Sequence, residues 1–176
     1  MREGVLLIGP RAAGKSTVGP LLAGLLALPF RDADLEIEAE AGRSIADLMQ
    51  EGVFRAVEAQ ALGRILSDPP AVVAAGGGAV LWAGFQQAAA SWAVVWLDAS
   101  PQVLAQRLQS DPGGRPSLTG REPAEEIGDV ARVRAPLYRA VADLHVVTDA
   151  LTPDESAAQI LDWVQVEPHS SDNSVR

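Results

Sequence analysis

The sequence predicts a three-layer α/β/α domain, with helices covering both faces of a five-stranded parallel sheet. Five short strand-like runs, at residues 5–8, 28–32, 71–75, 93–97 and 144–148, alternate with segments patterned for helix, as in a chain of βαβ units. The run at 71–75 is apolar throughout rather than alternating, which is what burial on both faces of a parallel sheet requires. The first run passes directly into a glycine-bearing stretch, residues 9–17, and then into a helical pattern, so strand, turn and helix follow one another without a break.

That stretch matches G-x-x-x-x-G-K-[ST], with Gly9, Gly14, Lys15 and Ser16 in the specified places and Ala12, Ala13 and Thr17 completing the loop. Glycines admit unusual dihedrals, successive N–H groups form an anion nest, and the helix dipole favours negative charge there. In such a loop Lys15 reaches the β- and γ-phosphates of a nucleotide and the Ser16 hydroxyl ligates Mg²⁺. A chance glycine-rich turn is disfavoured because the required strand and helix flank the loop. Lys15 is also the only lysine in the chain, every other basic residue being arginine; a compact point charge suits phosphate where a planar fork fits less well.

Beyond the loop, residues 18–28 are apolar at helical spacing despite Gly19, Pro20 and Gly24, Pro20 falling early in the helix where it is least harmful. Residues 28–32 form a short strand that carries Asp32 and Asp34 at its C-terminal end. Helices are expected at 36–41, 44–50 and 54–67, the second opening on a capping-box-like Ser44 and Asp47. Pro69 and Pro70 end the third, and the strand at 71–75 feeds Gly76, Gly77 and Gly78. A helix over 81–90 and a strand over 93–97, ending in Asp98, follow. Ser100 caps a helix over 101–108 with Pro101 in its first position. Residues 110–123, rich in Gly, Pro, Ser and Arg, suit a mobile loop over the site. A helix over 125–137 limited by Pro136, a last strand at 144–148 and a closing helix at 153–164 complete the domain, taken as 1–168; the polar tail at 169–176 is expected to be disordered.

A length of 176 residues suits one domain, and 48% hydrophobic with 21% charged residues is ordinary for a soluble globular protein. A net charge of −9 argues against a nucleic-acid partner, and a polyanion handler this acidic must concentrate its arginines locally. The absence of cysteine excludes disulfides, thiolate metal sites and cysteine nucleophiles, and His145 and His169 are too few for a histidine metal cluster. Asn173 is the only asparagine, so the guanine-reading Asn-Lys-x-Asp of GTPase switches cannot be present. The apolar stretches are too short for a membrane span, and the start lacks a charged-then-apolar signal, so a cytoplasmic location is expected.

Ligands of an open parallel sheet bind beyond the C-terminal strand ends, a rule that gathers residues 9–16, Asp32, Asp34, Gly76, Gly77, Gly78 and Asp98 on one rim. Asp32 and Asp34 point to the same side if the strand continues through them. One could then hold Mg²⁺ through water and the other accept a hydroxyl proton; equally, both suit the acidic start of a helix. Asp98 is a second metal candidate. Three glycines at a strand end imply close backbone approach. Arg55 stands three residues before Glu58, Arg115 beside Pro116, and Arg132 and Arg134 before Pro136; each alone reads as a surface charge.

Together, the phosphate loop, Asp32 and Asp34 before Ile37 and Glu38, Phe54 and Arg55 before Glu58, the triple glycine, Arg115-Pro116, and Arg134 four residues before Tyr138 resemble shikimate kinase in order and approximate spacing. The resemblance spans about residues 4–165. It implies a P-loop fold like that of the nucleoside-monophosphate kinases, with strand order 2-3-1-4-5, acting as a monomer to phosphorylate the 3-hydroxyl of shikimate with ATP and Mg²⁺. It further implies that Lys15 and Arg115 stabilise the transferring phosphoryl group, that Ser16 ligates Mg²⁺ and Asp32 holds it through water, and that Asp34 binds the acceptor hydroxyls and helps deprotonate one. Arg55, Arg134 and Gly76, Gly77 and Gly78 would clamp the carboxylate, which a guanidinium fork matches bidentately. The nucleotide is expected on Gly9, Ala12, Ala13, Gly14, Lys15, Ser16, Thr17 and Arg115, with Arg107 the nearest candidate beside adenine. Residues 33–60 would enclose the acceptor and 110–123 would close as a lid. The chain departs from the family pattern between Met49 and Phe54, which is short and has Met49 where an aromatic is common. A gluconate-type kinase and a catalytically silent nucleotide-binding module are the competing expectations.

Overall fold

The computed structural model describes residues 4–68, 70–110, 117 and 120–166. Arg115, most of the expected lid and the expected tail lie outside these residues.

Strand β1 (Val5–Ile8) occupies the centre of a five-stranded sheet of order β2-β3-β1-β4-β5, as expected, with every neighbour parallel. All four of its residues are buried, and period-two alternation sends them to opposite faces. Val5 and Leu7 join one core with Leu22 of α1 (Lys15–Leu26), Leu104 of α6 (Pro101–Gln109) and Ile160 of α8 (Pro153–Val166). Leu6 and Ile8 join another with Leu62 and Ile65 of α4 (Phe54–Ile65) and Tyr138 of α7 (Pro123–Val141). With helices on both faces, β3 (Val72–Ala74) and β4 (Ala93–Asp98) have no solvent side either, so their sequences are apolar without alternation. The edges, β2 (Phe30–Asp32) and β5 (Leu144–Val147), are less buried.

Helices α2 (Ala33–Ala41), α3 (Ile45–Gln50) and α4 enclose a third, smaller core of Ile37, Leu48, Phe54 and Ala61. The expected caps are present: the Asp47 amide donates to Ser44 Oγ at 3.1 Å and the Val103 amide to Ser100 Oγ at 3.4 Å. Among the described residues no helix is long and apolar enough to cross a membrane.

Two expectations need correction. In place of one helix over 81–90 there is a 3₁₀ turn, Ala79–Leu81, and a single-turn helix α5 (Phe85–Ala88). Gly84 breaks the helix where the Trp82 ring lies against the backbone, 2.6 Å from where a Cβ would stand. Nor does Pro136 limit the preceding helix, because α7 runs through it to Val141. A helical proline forfeits one hydrogen bond, but Tyr138 in the following turn is 1% exposed and its ring centroid lies 5.6 Å from that of Trp96. Tertiary packing of this kind overrides local propensity.

Candidate active site

The phosphate-loop sequence becomes a tight turn between β1 and α1. Gly9 has φ +136°, and a Cβ there would lie 2.0 Å from the Leu97 carbonyl oxygen, so no other residue fits. Gly9 therefore shapes the loop from behind and does not line the cleft in front of it. Ala12 is held in the left-handed region at φ 61°, a cost that functional loops commonly carry. Helices α2, α3 and α6 are capped by the side chains of Asp32, Ser44 and Ser100, but no side chain caps α1 after Gly14. Its first-turn residues line the cleft, and an uncapped helix N-terminus is suited to an anion. Lys15 Nζ donates to the Gly9 and Pro10 carbonyls at 2.8 and 2.7 Å, which keeps the ammonium over the loop.

The cleft measures about 490 Å³ and is lined by residues 12–18, Asp32, Asp34, Gly76 and Gly77, with Arg107, Thr148, Leu151, Pro153 and Ser156 also in its wall. Arg107 bridges α6 to the segment after β5, donating to Thr148 Oγ1 at 2.9 Å and the Thr148 carbonyl at 3.0 Å, and to the Ala12 carbonyl at 3.4 Å. It thus borders the cleft.

Strand β2 stops at Asp32, so Asp34 does not extend it as the sequence suggested; it lies in the first turn of α2. Asp32 Oδ1 accepts from the Asp34 and Leu35 amides at 3.0 and 3.4 Å. Its other oxygen, Oδ2, accepts from Ser16 Oγ at 2.7 Å. One oxygen of this carboxylate therefore caps the helix and the other faces the phosphate loop. Asp98 turns elsewhere, accepting from the Ala99 amide at 2.9 Å and lying 3.2 Å from His145 Nε2, and it lines neither cavity. Ser16 and Asp32 together offer hard oxygen donors of the type that suits Mg²⁺. No cluster of three or more carboxylate, histidine or cysteine ligands exists among the described residues. A cation here would thus rely on phosphate oxygens and water for its other positions, as Mg²⁺ does.

A second cavity of about 440 Å³ shares the wall of Ser16, Asp32, Asp34, Gly76 and Gly77 with the first, and reaches Arg11, Met49, Phe54, Arg55, Glu58, Gly78 and Arg134. Arg55 Nη1 donates to Glu58 Oε2 at 2.5 Å. Glu58 is 3% exposed; burial pushes its carboxyl above the usual range, the Arg55 charge and hydrogen bond oppose this, and nearby Asp34 adds to the rise. Two of the three glycines, Gly76 and Gly78, make room for these side chains. A Cβ on Gly76 would lie 2.7 Å from Glu58 Oε1 and 2.8 Å from Asp34 Oδ1, and one on Gly78 only 2.1 Å from Arg55 Nη1. The Gly77 carbonyl accepts from Arg134 Nη1 at 3.0 Å and from the Tyr138 hydroxyl at 2.5 Å. Burial pushes that phenol up to about 12, against the pull of Arg134, so it stays a donor at neutral pH.

The fold thus brings together Ala12, Ala13, Gly14, Lys15, Ser16, Thr17, Asp32, Asp34, Arg55, Gly76, Gly77, Gly78, Arg107 and Arg134 on two joined cavities, and sets Gly9 behind them. Sequence reasoning did not assign Arg11, Glu58, Tyr138 or Thr148. For Glu58 and Tyr138 a signal existed in their spacing from Arg55 and Arg134; for Arg11 and Thr148 there was none.

A shikimate kinase family model matches residues 11–165. The chain is 43% identical over 148 residues to a shikimate kinase of Caulobacter vibrioides, covering 82% of this chain and 73% of that protein. To a shikimate kinase of Synechococcus it is 40% identical over 162 residues, with coverage of 88% and 80%. A solved shikimate kinase from Acinetobacter baumannii, in complex with shikimate, superposes with a TM-score of 0.85 at 32% identity over 93% of both chains. On this agreement of loop, sheet order, paired cavities and overall likeness, the chain belongs to the shikimate kinase family.

Proposed function

We propose that this chain transfers the γ-phosphoryl group of ATP to the 3-hydroxyl of shikimate, giving shikimate 3-phosphate and ADP. The observation that supports this best is the common wall of the two cavities. Ser16, Asp32, Asp34, Gly76 and Gly77 border both, so a nucleotide phosphate on the loop and a hydroxyl in the second cavity meet there. Positioning and charge neutralisation supply most of the rate in such transfers. Lys15 stabilises charge on the transferring phosphoryl group, and Asp34 orients the acceptor hydroxyls and takes the proton of the one that attacks. Arg55, Arg134 and the glycine run hold the acceptor carboxylate, and Arg115, on the ground of resemblance, joins Lys15. Ser16 and Asp32 would hold Mg²⁺, which when bound neutralises phosphate charge. One chain lines both cavities, so a monomer suffices, and an ATP-consuming reaction suits the cytoplasm.

The test is ADP release from ATP and Mg²⁺ with shikimate, with gluconate and with neither. Stimulation by shikimate alone is expected. Stimulation by gluconate instead would overturn the substrate, and calorimetric ATP binding without turnover of any acceptor would identify a silent nucleotide-binding module.

Glu58 supplies a further check. Replacing it by glutamine removes the partner that orients Arg55, and shikimate KM is expected to rise about fivefold with ATP KM unchanged. Because the folded-state pKa is raised, the contribution of Glu58 to stability is full below the usual carboxylate range and is lost as pH rises through the raised value. The melting temperature of the native protein relative to Glu58→Gln should therefore fall across that window; a flat difference would show that the carboxyl is not perturbed.

A further inference from the structure

The phosphate loop carries a buried charge to which the proposed reaction assigns no task. Arg11 is 9% exposed. Residues 12–18, which follow it, line the nucleotide cleft, whereas Arg11 lines the acceptor cavity. Its backbone nitrogen lies 3.4 Å from where a Cβ on Gly77 would stand, against the residue that receives Arg134 and Tyr138. Opposite its guanidinium, Nη1 lies 3.9 Å from Oε1 of Glu126, which is 1% exposed on α7, the helix that also carries Arg134. Glu126 Oε2 accepts from Ser117 Oγ at 3.1 Å, so the carboxylate is itself held.

A buried ion pair is weak evidence of stability, because desolvation offsets its attraction; orientation of a charge is the better-supported use. The charge is needed here. Four acidic residues, Asp32, Asp34, Glu38 and Glu58, and three arginines, Arg11, Arg55 and Arg134, line the acceptor cavity. Without Arg11 the acidic residues of that lining outnumber the basic ones two to one.

We infer that Arg11, aimed by Glu126, is a specificity-determining residue of the acceptor cavity that makes it accept a hydroxylated carboxylate anion. This rests on the acceptor-cavity assignment proposed above. Arg11→Met is expected to raise shikimate KM about tenfold and leave ATP KM within about twofold, and Arg11→Lys to recover most of the loss. The double variant Arg11→Met/Glu126→Gln, which removes both charges of the pair, should show the same defect. A normal shikimate KM in the double variant would overturn the inference, since the loss of Arg11 from beside Glu126 would then be the cause of the single variant's defect. A loss confined to kcat or ATP KM would overturn it too, by placing Arg11 on the phosphate side. Arg55→Met separates the two levels. If it raises shikimate KM while Arg11→Met does not, only the Arg11 inference fails; if neither does, the cavity assignment fails.

Discussion

Replacing Lys15 with methionine is expected to lower kcat for ATP-dependent phosphorylation of shikimate by about a thousandfold, the scale of losing one preorganised donor to a developing negative charge. The ammonium is built into the loop, on the Gly9 and Pro10 carbonyls at 2.8 and 2.7 Å, so its charge is in place before the phosphates arrive. Methionine keeps the length of the stem and removes only the charged head. Arginine should rescue poorly, since a planar fork cannot take the place of a compact head between two carbonyls. A coupled assay of ADP release checks both variants, and a kcat within tenfold of native for Lys15→Met would remove Lys15 from the reaction. The melting temperature should change little by comparison, because the glycines and Ala12, rather than Lys15, set the backbone of the turn.

Asp34→Asn is expected to lower kcat by about two to four orders of magnitude, the usual contribution of a positioned base, with ATP KM near native. The substitution is close to isosteric, and the Asp34 amide still donates to Asp32 at 3.0 Å, so the start of α2 survives. Asparagine can still orient a hydroxyl but cannot take its proton. The measurement that distinguishes these roles is kcat against shikimate KM, both read from the ADP-release assay. A near-native kcat with a raised shikimate KM would assign Asp34 to binding alone.

Much of the fold was legible because sheet burial writes itself into composition. Val5, Leu7, Val72 and Val95 face one core and Leu6, Ile8, Val73 and Val94 the other, so both parities of each central strand are apolar. The helix at 81–90 misled because apolar and alanine-rich residues satisfy a helical pattern, while the Trp82 ring against Gly84 is invisible in sequence. Pro136 misled in the opposite sense, as a local breaker overruled by the burial of Tyr138.

By itself the sequence determined the phosphate loop, the parallel sheet and the rim on which the site lies, because each follows from short-range spacing and period-two burial. It also supplied Asp32, Asp34, Arg55, the triple glycine and Arg134 as a set. Only the tertiary structure decided what each oxygen and guanidinium faces. It split Asp32 between capping α2 and meeting Ser16, turned Asp98 toward His145, buried Glu58 beside Arg55, and set Arg11 in the wall of the acceptor cavity with its guanidinium opposite Glu126. The contacts of Asp32 with Ser16, Asp98 with His145 and Arg11 with Glu126 join segments far apart in the chain, as does that of Tyr138 with Gly77, 61 residues apart. Their energies come from desolvation and charge at a few ångströms, quantities that exist only once the chain has closed around them.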